Sequence, residues 1–441
     1  MPKLRPAPLP IVARRLGRYE PTITRLDDAM KVAPLMTTRP RNVLAINTGS
    51  SSLKAGLFTA SDSAVARTLS IDISNVGAPD SHVRTRDANG RVRIFRRLAI
   101  ENHVSALQIL VDTLATSDGD RDLAAVGHRV VHGGANFRLP VLITSDVVNA
   151  LKELTTIDPE HLPQAITALQ MMHRLFPTVP QVACFDTAFH RSMPRIAQLY
   201  GLPRHLESAG VIRYGFHGLS YQSTVQQLEV LDGPRLGGRV IIAHLGSGAS
   251  MAAIRNGEPM DTTMGFTPTG GLMMGTRSGD LDPGVLVYLL EARGLAPSEI
   301  SSLVNRQSGL LGVSGTSADM RELLVHEDTD QRAAEAVTLF CYQAKKHLGA
   351  MAAVLGGLDT LVFTGGVGEH AASVRERICE GLDYLGISLD GERNRAHSAV
   401  ASAPDSAVTV RIMHADEELT IAEHTLRTVL AQGANHRDLS I

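Results

Sequence analysis

The chain has 441 residues, of which 44% are hydrophobic and 20% are charged. This composition is typical of a globular protein, and the length predicts two domains of roughly 200 residues rather than one core. Forty-three basic and 45 acidic residues give a net charge of -2. Such a balance supplies no general attraction for nucleic acid or an anionic membrane, so we expect neither partner. No apolar run approaches the ~20 residues of a membrane span.

The first 41 residues are predicted to form an irregular N-terminal extension. They lack the continuous apolar segment of a signal peptide and are rich in arginine. The three cysteines, Cys184, Cys341 and Cys379, are far apart, match no metal-ligand spacing and cannot all pair within one chain. A reducing, cytoplasmic location is the simpler interpretation.

Two similar segments about 200 residues apart indicate an internally duplicated protein. Strands are predicted at 42–47 and 53–58 around a serine-rich turn, and the same design returns at 240–244 and 251–255 around a glycine-rich turn. Each half then presents a loop rich in accessible backbone. This arrangement favours a ligand bound between the halves.

Other segments complete an α/β pattern. Further strands are predicted at 123–131, 182–185 and 361–364. Apolar residues recur at spacings of three and four between 330 and 355, which predicts a long helix. The pair Gly356-Gly357 is typical of a helix C-terminus.

Three turns at predicted strand ends carry residues suited to phosphate. The segment 47–54 reads Asn-Thr-Gly-Ser-Ser-Ser-Leu-Lys, and glycine-rich turns occur at 244–248 and 364–369. Glycine lets backbone N–H groups approach a phosphate closely. Each turn alone could be an ordinary polar connection. Three of them in one chain favour an anion-binding cleft.

Two arginines lie among small or strand-forming residues. Arg129 precedes the pair Gly133-Gly134, and Arg277 lies in the segment Gly275-Thr276-Arg277-Ser278-Gly279. The planar guanidinium group bonds carboxylate or phosphoryl oxygens in pairs. A structural ion pair is the alternative for a lone arginine.

Three acidic or imidazole positions have both a functional and a structural interpretation. Asp186 ends a predicted strand and could be a helix cap, and His217 lies between glycine and an aromatic residue and could be a hydrogen-bonded core residue. The run Asp416-Glu417-Glu418 could be a solvated acidic face or a set of magnesium ligands.

Six motifs, in this order along residues 42–426, resemble those of the acetate kinase family. They are Asn-Thr-Gly-Ser-Ser-Ser-Leu-Lys, His-Arg-Val-Val-His-Gly-Gly, Phe-Asp-Thr-Ala-Phe-His, Arg-Tyr-Gly-Phe-His-Gly, Met-Gly-Phe-Thr-Pro with Gly-Thr-Arg-Ser-Gly-Asp, and Phe-Thr-Gly-Gly-Val-Gly-Glu. The resemblance implies an α/β fold with two duplicated domains of the ribonuclease H-like actin/sugar-kinase type and a cleft between them. Domain I would comprise 42–187 and 418–441, and domain II 188–417.

The resemblance also implies an activity: reversible, in-line phosphoryl transfer from ATP to acetate, giving acetyl phosphate and ADP, in a homodimer that uses Mg²⁺, with Mn²⁺ as the alternative ion. Arg129 would bind the acyl substrate, and Asp186, His217 and Arg277 would be catalytic. Asn47 and Glu417 would position the metal. The residues implied for the nucleotide are Lys54, His244, Leu245, Gly246, Ser247, Gly248, Asp319, Met320, Arg321, Gly366, Val367, Gly368, Glu369 and His370.

The chain departs from the family pattern at a few positions. Asparagine is usual where Ser247 and His370 stand, histidine is usual at Tyr221, and His-Asn-Pro is usual near Asp158-Pro159-Glu160. These departures leave open the phosphoryl donor and the choice among acetate, propionate and butyrate. A hydroxyl kinase of the same fold and a nucleotide-binding relative without catalysis are the other hypotheses.

Overall fold

The computed structural model describes residues 41–49, 51–60, 64–116, 123–233 and 238–437. Side chains are described as far as residue 432. The predicted extension therefore lies outside the described residues, apart from Arg41, which begins the first strand.

Eight of the described strands form the first sheet. They are β1 (Arg41–Thr48), β2 (Ser52–Ala60), β3 (Val65–Ser74), β4 (His82–Asp87), β5 (Val92–Arg97), β6 (Leu123–Val130), β7 (Val141–Leu142) and β8 (Gln181–Phe185). Their spatial order is β5-β4-β3-β2-β1-β6-β8-β7. Strands β1 to β5 pair antiparallel in sequence, whereas β1, β6 and β8 run parallel. The carboxyl ends of the three parallel strands therefore lie at one edge.

The second sheet repeats the central part of the first. Its strands are β9 (Arg239–Leu245), β10 (Ala249–Arg255), β11 (Glu258–Thr262), β12 (Thr360–Thr364) and β13 (Thr409–Ile412), in the order β11-β10-β9-β12-β13. Strands β9 to β11 are antiparallel, and β9, β12 and β13 are parallel. Because β3-β2-β1-β6-β8 has the same pattern, the predicted α/β class and internal duplication are confirmed.

Fifteen helices accompany the sheets in the described part of the chain. They are α1 (His103–Ala115), α2 (Ser145–Glu153), α3 (Leu162–Leu175), α4 (Arg195–Gln198), α5 (Arg204–Ser208), α6 (Gly218–Asp232), α7 (Pro283–Glu291), α8 (Pro297–Arg306), α9 (Gly309–Ser314), α10 (Met320–His326), α11 (Gln331–Leu355), α12 (Gly365–His370), α13 (Ala372–Cys379), α14 (Gly391–Arg395) and α15 (Glu417–Arg437). Short 3₁₀ turns occupy Leu154–Thr156, Phe189–Ser192 and Asp383–Leu385.

The longest helix, α11, confirms the helix predicted from apolar spacing. The Asp330 side chain accepts a hydrogen bond from the Arg332 N–H and caps its first turn, and Gly356 ends it with a φ of 69°. Such a left-handed backbone favours glycine. Its buried face includes Val337, Phe340 and Leu348 and packs in the core of the second sheet.

The C-terminal helix α15 returns to the first sheet. Ile421, Ala422 and Leu426 pack in one apolar cluster with residues of β1, β2, β6 and β8. Gly127 in β6 permits this approach, because a Cβ there would stand 2.1 Å from the Thr425 hydroxyl oxygen. The helix therefore brings its acidic first turn to the carboxyl edge of the sheet. The division into domains at 187/188 and 417/418 stays a prediction.

Within the described ranges no helix is long and apolar enough to cross a membrane. The three cysteines are free and buried. Burial raises the pKa of the Cys184 thiol to about 12.

A buried histidine in α15 makes the stability of the fold depend on pH. His424 is 4% exposed, and neither ring nitrogen has a hydrogen-bond partner among the described residues. Burial lowers its pKa from the ordinary 6.5 to about 4. Between these values the unfolded chain binds more protons than the folded one, so stability is lost as pH falls from 6.5 towards 4.

We expect His424→Leu to reduce the loss of unfolding free energy between pH 7 and pH 5 by about 2 kcal/mol. Stability at pH 7 should be equal or higher, because two unpaired polar atoms leave the core. Urea unfolding at both pH values measures the effect. His173→Leu, at an exposed position of α3, is the control and should keep the parental slope. An unchanged slope in His424→Leu would contradict this account.

Candidate active site

A cleft of about 780 Å³ lies where the carboxyl edges of the two sheets face each other. In open α/β sheets this edge is the usual place for a ligand. The predicted site residues that line the cleft are Asn47, Lys54, Arg129, Asp186, His217, His244, Gly246, Ser247, Gly248, Arg277, Gly366, Glu369, His370 and Glu417. Residues far apart in the sequence, from both sheets, therefore converge on one volume.

Six residues predicted to bind nucleotide do not line this cleft. Leu245 and Met320 are buried in the core of the second sheet. Val367 and Gly368 lie in α12, behind Gly366. Asp319 caps α10 and forms an ion pair with Arg321, whose side chain is 87% exposed.

Arg129 and Asp186 form an ion pair at the base of the cleft. The Nε and Nη2 atoms of Arg129 donate to Asp186 Oδ2 over 2.9 and 2.6 Å, and its Nη1 donates to Asn47 Oδ1 over 3.1 Å. Burial raises the pKa of Asp186, and Arg129 opposes that rise. The second Nη2 hydrogen of Arg129 has no acceptor among the described residues. Arg129 therefore forms a structural ion pair and still has one donor for a ligand, so its role in binding the substrate stays a prediction.

The acidic first turn of α15 contacts this pair. Asn47 Nδ2 donates to Glu417 Oε2 over 2.9 Å and to Glu418 Oε1 over 3.1 Å. Burial opposes ionisation of Glu417, but Arg129, His244 and Lys54 hold its pKa below the usual range. Burial raises the pKa of Glu418. Both glutamates are thus partly buried and line the cleft, and their role as metal ligands stays a prediction.

The guanidinium group of Arg277 is oriented by a hydrogen bond to His161, the residue directly before α3. Its Nη2 donates to His161 Nε2 over 3.0 Å, and its Nη1 donates to the Pro268 carbonyl over 3.3 Å. His161 Nδ1 then donates to Asp158 Oδ1 over 2.8 Å. Because arginine only donates, His161 carries its proton on Nδ1. Burial, together with the positive charge of Arg129, lowers the pKa of Arg277. The Asp158 carboxylate offsets only part of this shift.

His217 lies near Arg277 in the cleft. Its Nδ1 is 2.8 Å from the Ser250 hydroxyl oxygen, which also bonds the hydroxyl of the fully buried Tyr221. The ring stacks on His244, with 4.2 Å between centroids. His217 Nε2 and Arg277 Nη1 both lie within 4 Å of the point where a Gly248 Cβ would stand. Gly248 therefore leaves open the space that these two donors share.

The glycine turns after β9 and β12 lie side by side. A Cβ on Gly365 would stand 2.7 Å from the Leu245 carbonyl oxygen, and its φ of 79° also favours glycine. Arg375, which is fully buried, donates to the Gly368 and Glu369 carbonyls over 2.8 and 3.0 Å. The backbone of α12 is thus held from behind.

The cleft floor offers oxygen atoms rather than soft ligands. No group of three or more His, Cys, Asp or Glu side chains with metal-site geometry occurs in the described part of the chain. However, Asp186 Oδ1 is buried without a hydrogen-bond partner there, and the Glu417 and Glu418 carboxylates lie nearby. Hard oxygen donors with one unsatisfied atom fit a magnesium ion that keeps most of its water ligands.

Sequence reasoning missed several of these residues. His161 was detectable, because His161-Leu162-Pro163 differs from His-Asn-Pro only at its middle position and directly follows Asp158-Pro159-Glu160. Tyr221 lies behind His217 and not on the cleft wall. No local pattern singles out Ser250 or Arg375, whose roles depend on distant partners.

Comparisons with known proteins agree with this geometry. Residues 42–423 match the acetokinase family. An acetate kinase of Rhodopseudomonas palustris is 45% identical over 397 residues, covering 89% of this chain and 98% of that protein. The crystal structure of Porphyromonas gingivalis acetate kinase superposes with a TM-score of 0.77 at 39% identity, covering 88% of this chain and all of that chain.

A propionate kinase of Francisella tularensis is also similar, with a TM-score of 0.80 at 34% identity over 87% of this chain and 99% of that one. These matches span the described sheets and every motif that lines the cleft. With that coverage and identity, the chain belongs to the acetokinase family.

Proposed function

We propose that the protein is an acetate kinase that transfers a phosphoryl group between ATP and acetate. One observation supports this most directly: Arg129, Asp186, Arg277 and Glu417, which come from four distant parts of the sequence, line one cleft. Two guanidinium groups suit an anionic acceptor and a migrating phosphoryl group, and a neutral acceptor would need only one.

The acceptor is proposed to bind between the arginines. Val131, Phe216 and Pro268 also line the cleft, and the Pro268 carbonyl accepts from Arg277. These apolar groups suit a short methyl or ethyl chain, while the free Nη2 hydrogen of Arg129 suits a carboxylate oxygen. Since acetate is already ionised at neutral pH, no base is required, and Asp186 is proposed to orient Arg129.

Arg277 and His217 are proposed to stabilise the transferring group. Both border the space beside Gly248. Phosphoryl transfer spreads negative charge over the equatorial oxygens, so fixed donors on this space lower the barrier. Asp158 accepts a hydrogen bond from His161, and His161 accepts one from Arg277. This chain keeps the Arg277 guanidinium group oriented towards the space beside Gly248.

The nucleotide is proposed to lie along Lys54, the turn after β9 and the start of α12, where Gly246, Gly366 and His370 line the cleft. Asp319, Met320 and Arg321 stay predicted nucleotide residues. Ala318 adjoins the cleft loop, because a Gly275 Cβ would stand 3.2 Å from the Ala318 carbonyl oxygen and 3.3 Å from that of Ser247.

Asn47 and Glu417 are proposed to position Mg²⁺, or Mn²⁺, through their oxygen atoms. When bound, the ion neutralises negative charge on the nucleotide phosphates. Asn47 links this region to the acyl side, since its Oδ1 accepts from Arg129 while its Nδ2 donates to Glu417.

The three unpaired cysteines support a cytoplasmic location.

A homodimer is proposed through α7. No residue of this helix is buried, although its sequence is Pro-Gly-Val-Leu-Val-Tyr-Leu-Leu-Glu. Val285, Val287 and Tyr288 are 43%, 49% and 54% exposed. An apolar helix that buries none of its residues against the described part of the chain is typical of an interface, and a second copy presents the same surface.

The activity is tested by incubating the protein with ATP, Mg²⁺ and a carboxylate, then trapping acyl phosphate with hydroxylamine. We expect acyl hydroxamate from acetate, with lower kcat/KM for propionate and butyrate. A mixture without ATP is the control. Propionate as the preferred acceptor would make the protein a propionate kinase, the second candidate, which the Francisella structure favours.

Glucose, followed by its phosphorylated product, tests the hydroxyl-kinase alternative in parallel. Nucleotide binding without product from any acceptor would contradict the proposal and favour a non-catalytic role.

Replacement of Arg277 tests its place in the transfer step. We expect Arg277→Ala to lower kcat at least ~100-fold, equivalent to about 2.7 kcal/mol, with the far-UV circular dichroism unchanged. Arg277→Lys should recover little, because the fork geometry is lost. Arg306→Ala, which removes an exposed ion pair with Glu160, is the control and should keep near-parental rates. A near-parental rate in Arg277→Ala would remove its proposed role.

The dimer surface is tested with Val287→Glu combined with Tyr288→Glu. We expect the parental chain to sediment as a dimer and the double variant as a monomer, because two carboxylates would be buried without partners. Val230→Glu is the control, since Val230 is 86% exposed on α6. A monomeric parental chain, or a double variant that remains dimeric, would argue against this surface.

A further inference from the structure

The catalytic-site histidine His217 has a buried polar chain behind its ring. His217 immediately precedes α6 and has a φ of 57°, and its carbonyl accepts the N–H of Tyr221, one turn later. The side chains of His217 and Tyr221 are close enough to share one hydrogen-bond partner. Ser250, from β10, lies between them: its Oγ is 2.8 Å from His217 Nδ1 and 2.5 Å from the Tyr221 hydroxyl. Tyr221 and Ser250 are both fully buried.

The direction of these hydrogen bonds follows from counting protons. The Tyr221 hydroxyl has one hydrogen and, among the described residues, one polar neighbour, the Ser250 oxygen. A buried hydroxyl that fails to donate is costly, so Tyr221 donates to Ser250. The single Ser250 hydrogen then has one acceptor left among the described residues, His217 Nδ1. His217 therefore accepts at Nδ1 and carries its own hydrogen on Nε2.

The opposite arrangement leaves a proton without an acceptor. If His217 Nδ1–H donated to Ser250 and Ser250 donated to Tyr221, the tyrosine hydrogen would have no acceptor among the described residues. The Nε2 atom would then be a bare acceptor facing the cleft. Such an atom would repel phosphoryl oxygens instead of bonding them.

His217 is also held neutral. Burial lowers its pKa well below 6.5, and His244, Arg129 and Arg277 lower it further. Glu417 and Glu418 interact with His244 and Lys54 rather than directly with this ring. A neutral imidazole donates from only one nitrogen, so its tautomer decides whether it can donate into the cleft at all.

We propose that Tyr221 is a positioning residue that acts through Ser250 to fix the Nε2–H tautomer of His217, so that this nitrogen donates to an oxygen of the transferring phosphoryl group. The tautomer follows from the hydrogen bonds alone, whereas its purpose rests on the proposed function. Tyrosine can replace the histidine that is usual at position 221, because a phenol hydroxyl and a ring N–H can each donate to the Ser250 oxygen.

The test combines a spectroscopic and a kinetic measurement on the full-length protein. Selective ¹⁵N-histidine labelling with two-bond ¹H–¹⁵N correlations distinguishes the tautomers, and loss of signals in His217→Gln assigns the ring. We expect Nε2–H in the parental protein and a partial shift towards Nδ1–H in Tyr221→Phe, because the Ser250 oxygen then lacks a donor unless His217 Nδ1–H supplies one. We expect kcat to fall about five- to tenfold while KM for ATP stays unchanged.

Matched variants separate positioning from packing. Tyr214→Phe is the control: Tyr214 is 1% exposed, and its hydroxyl donates to the Gly210 carbonyl over 2.8 Å, away from His217. It should leave the His217 signals in place. Tyr221→His should restore both the tautomer and the rate. If Tyr221→Phe fails to fold, Ser250→Ala removes the bridging hydroxyl and should disturb the same signals.

An Nδ1–H tautomer in the parental protein would overturn the inference. So would unchanged His217 signals in both Tyr221→Phe and Ser250→Ala, or a Tyr221→His variant as slow as Tyr221→Phe. The spectroscopic result does not depend on turnover. If the parental protein forms no acyl hydroxamate but Tyr221→Phe shows the expected tautomer shift, the proposed function is contradicted. The relationship among Tyr221, Ser250 and His217 is then still supported.

Discussion

The ion pair between Arg129 and Asp186 is the constraint on which the cleft depends. A buried guanidinium group without a counter-charge is costly, and so is a buried carboxylate. Burial alone would lower the pKa of Arg129, but Asp186, Glu417 and Glu418 together raise it. Asp186 directly follows β8, and the two glutamates begin α15. The correct pairing of β1, β6 and β8 and the docking of α15 are therefore required before this charge is satisfied.

The other polar groups of the cleft are each held by a partner from a different element. His161 and Asp158 aim Arg277, Ser250 and Tyr221 hold His217, and Arg375 fixes the backbone of α12. Groups that are held before a ligand arrives need no reorganisation during transfer, which is the condition for efficient electrostatic stabilisation. The cleft therefore has two layers of residues. The first layer lines the cleft, and the second layer lies behind it and orients the side chains and backbone of the first.

The motifs identified most of the first layer because they are local. The turn at 47–54, the arginines and the glycine turns are each short segments whose composition suits phosphate or carboxylate. The second layer was largely missed. His161 was visible in His161-Leu162-Pro163, whereas Arg375 resembles any helical arginine until its carbonyl partners are known. Composition alone left the acidic run at 416–418 open between a solvated face and metal ligands, because only the packing of α15 against Gly127 brings Glu417 and Glu418 to the cleft.

The sequence by itself determined the α/β class, the duplicated hairpins, the long helix α11 and the family, since these follow from periodicity, turn chemistry and short motifs. Only the tertiary structure decided which residues meet, which way His161 and His217 carry their protons, and which acidic residues leave water. The physical reason is that a hydrogen bond or ion pair between residues 57 or 370 positions apart leaves no periodic trace in the chain, and its strength depends on burial.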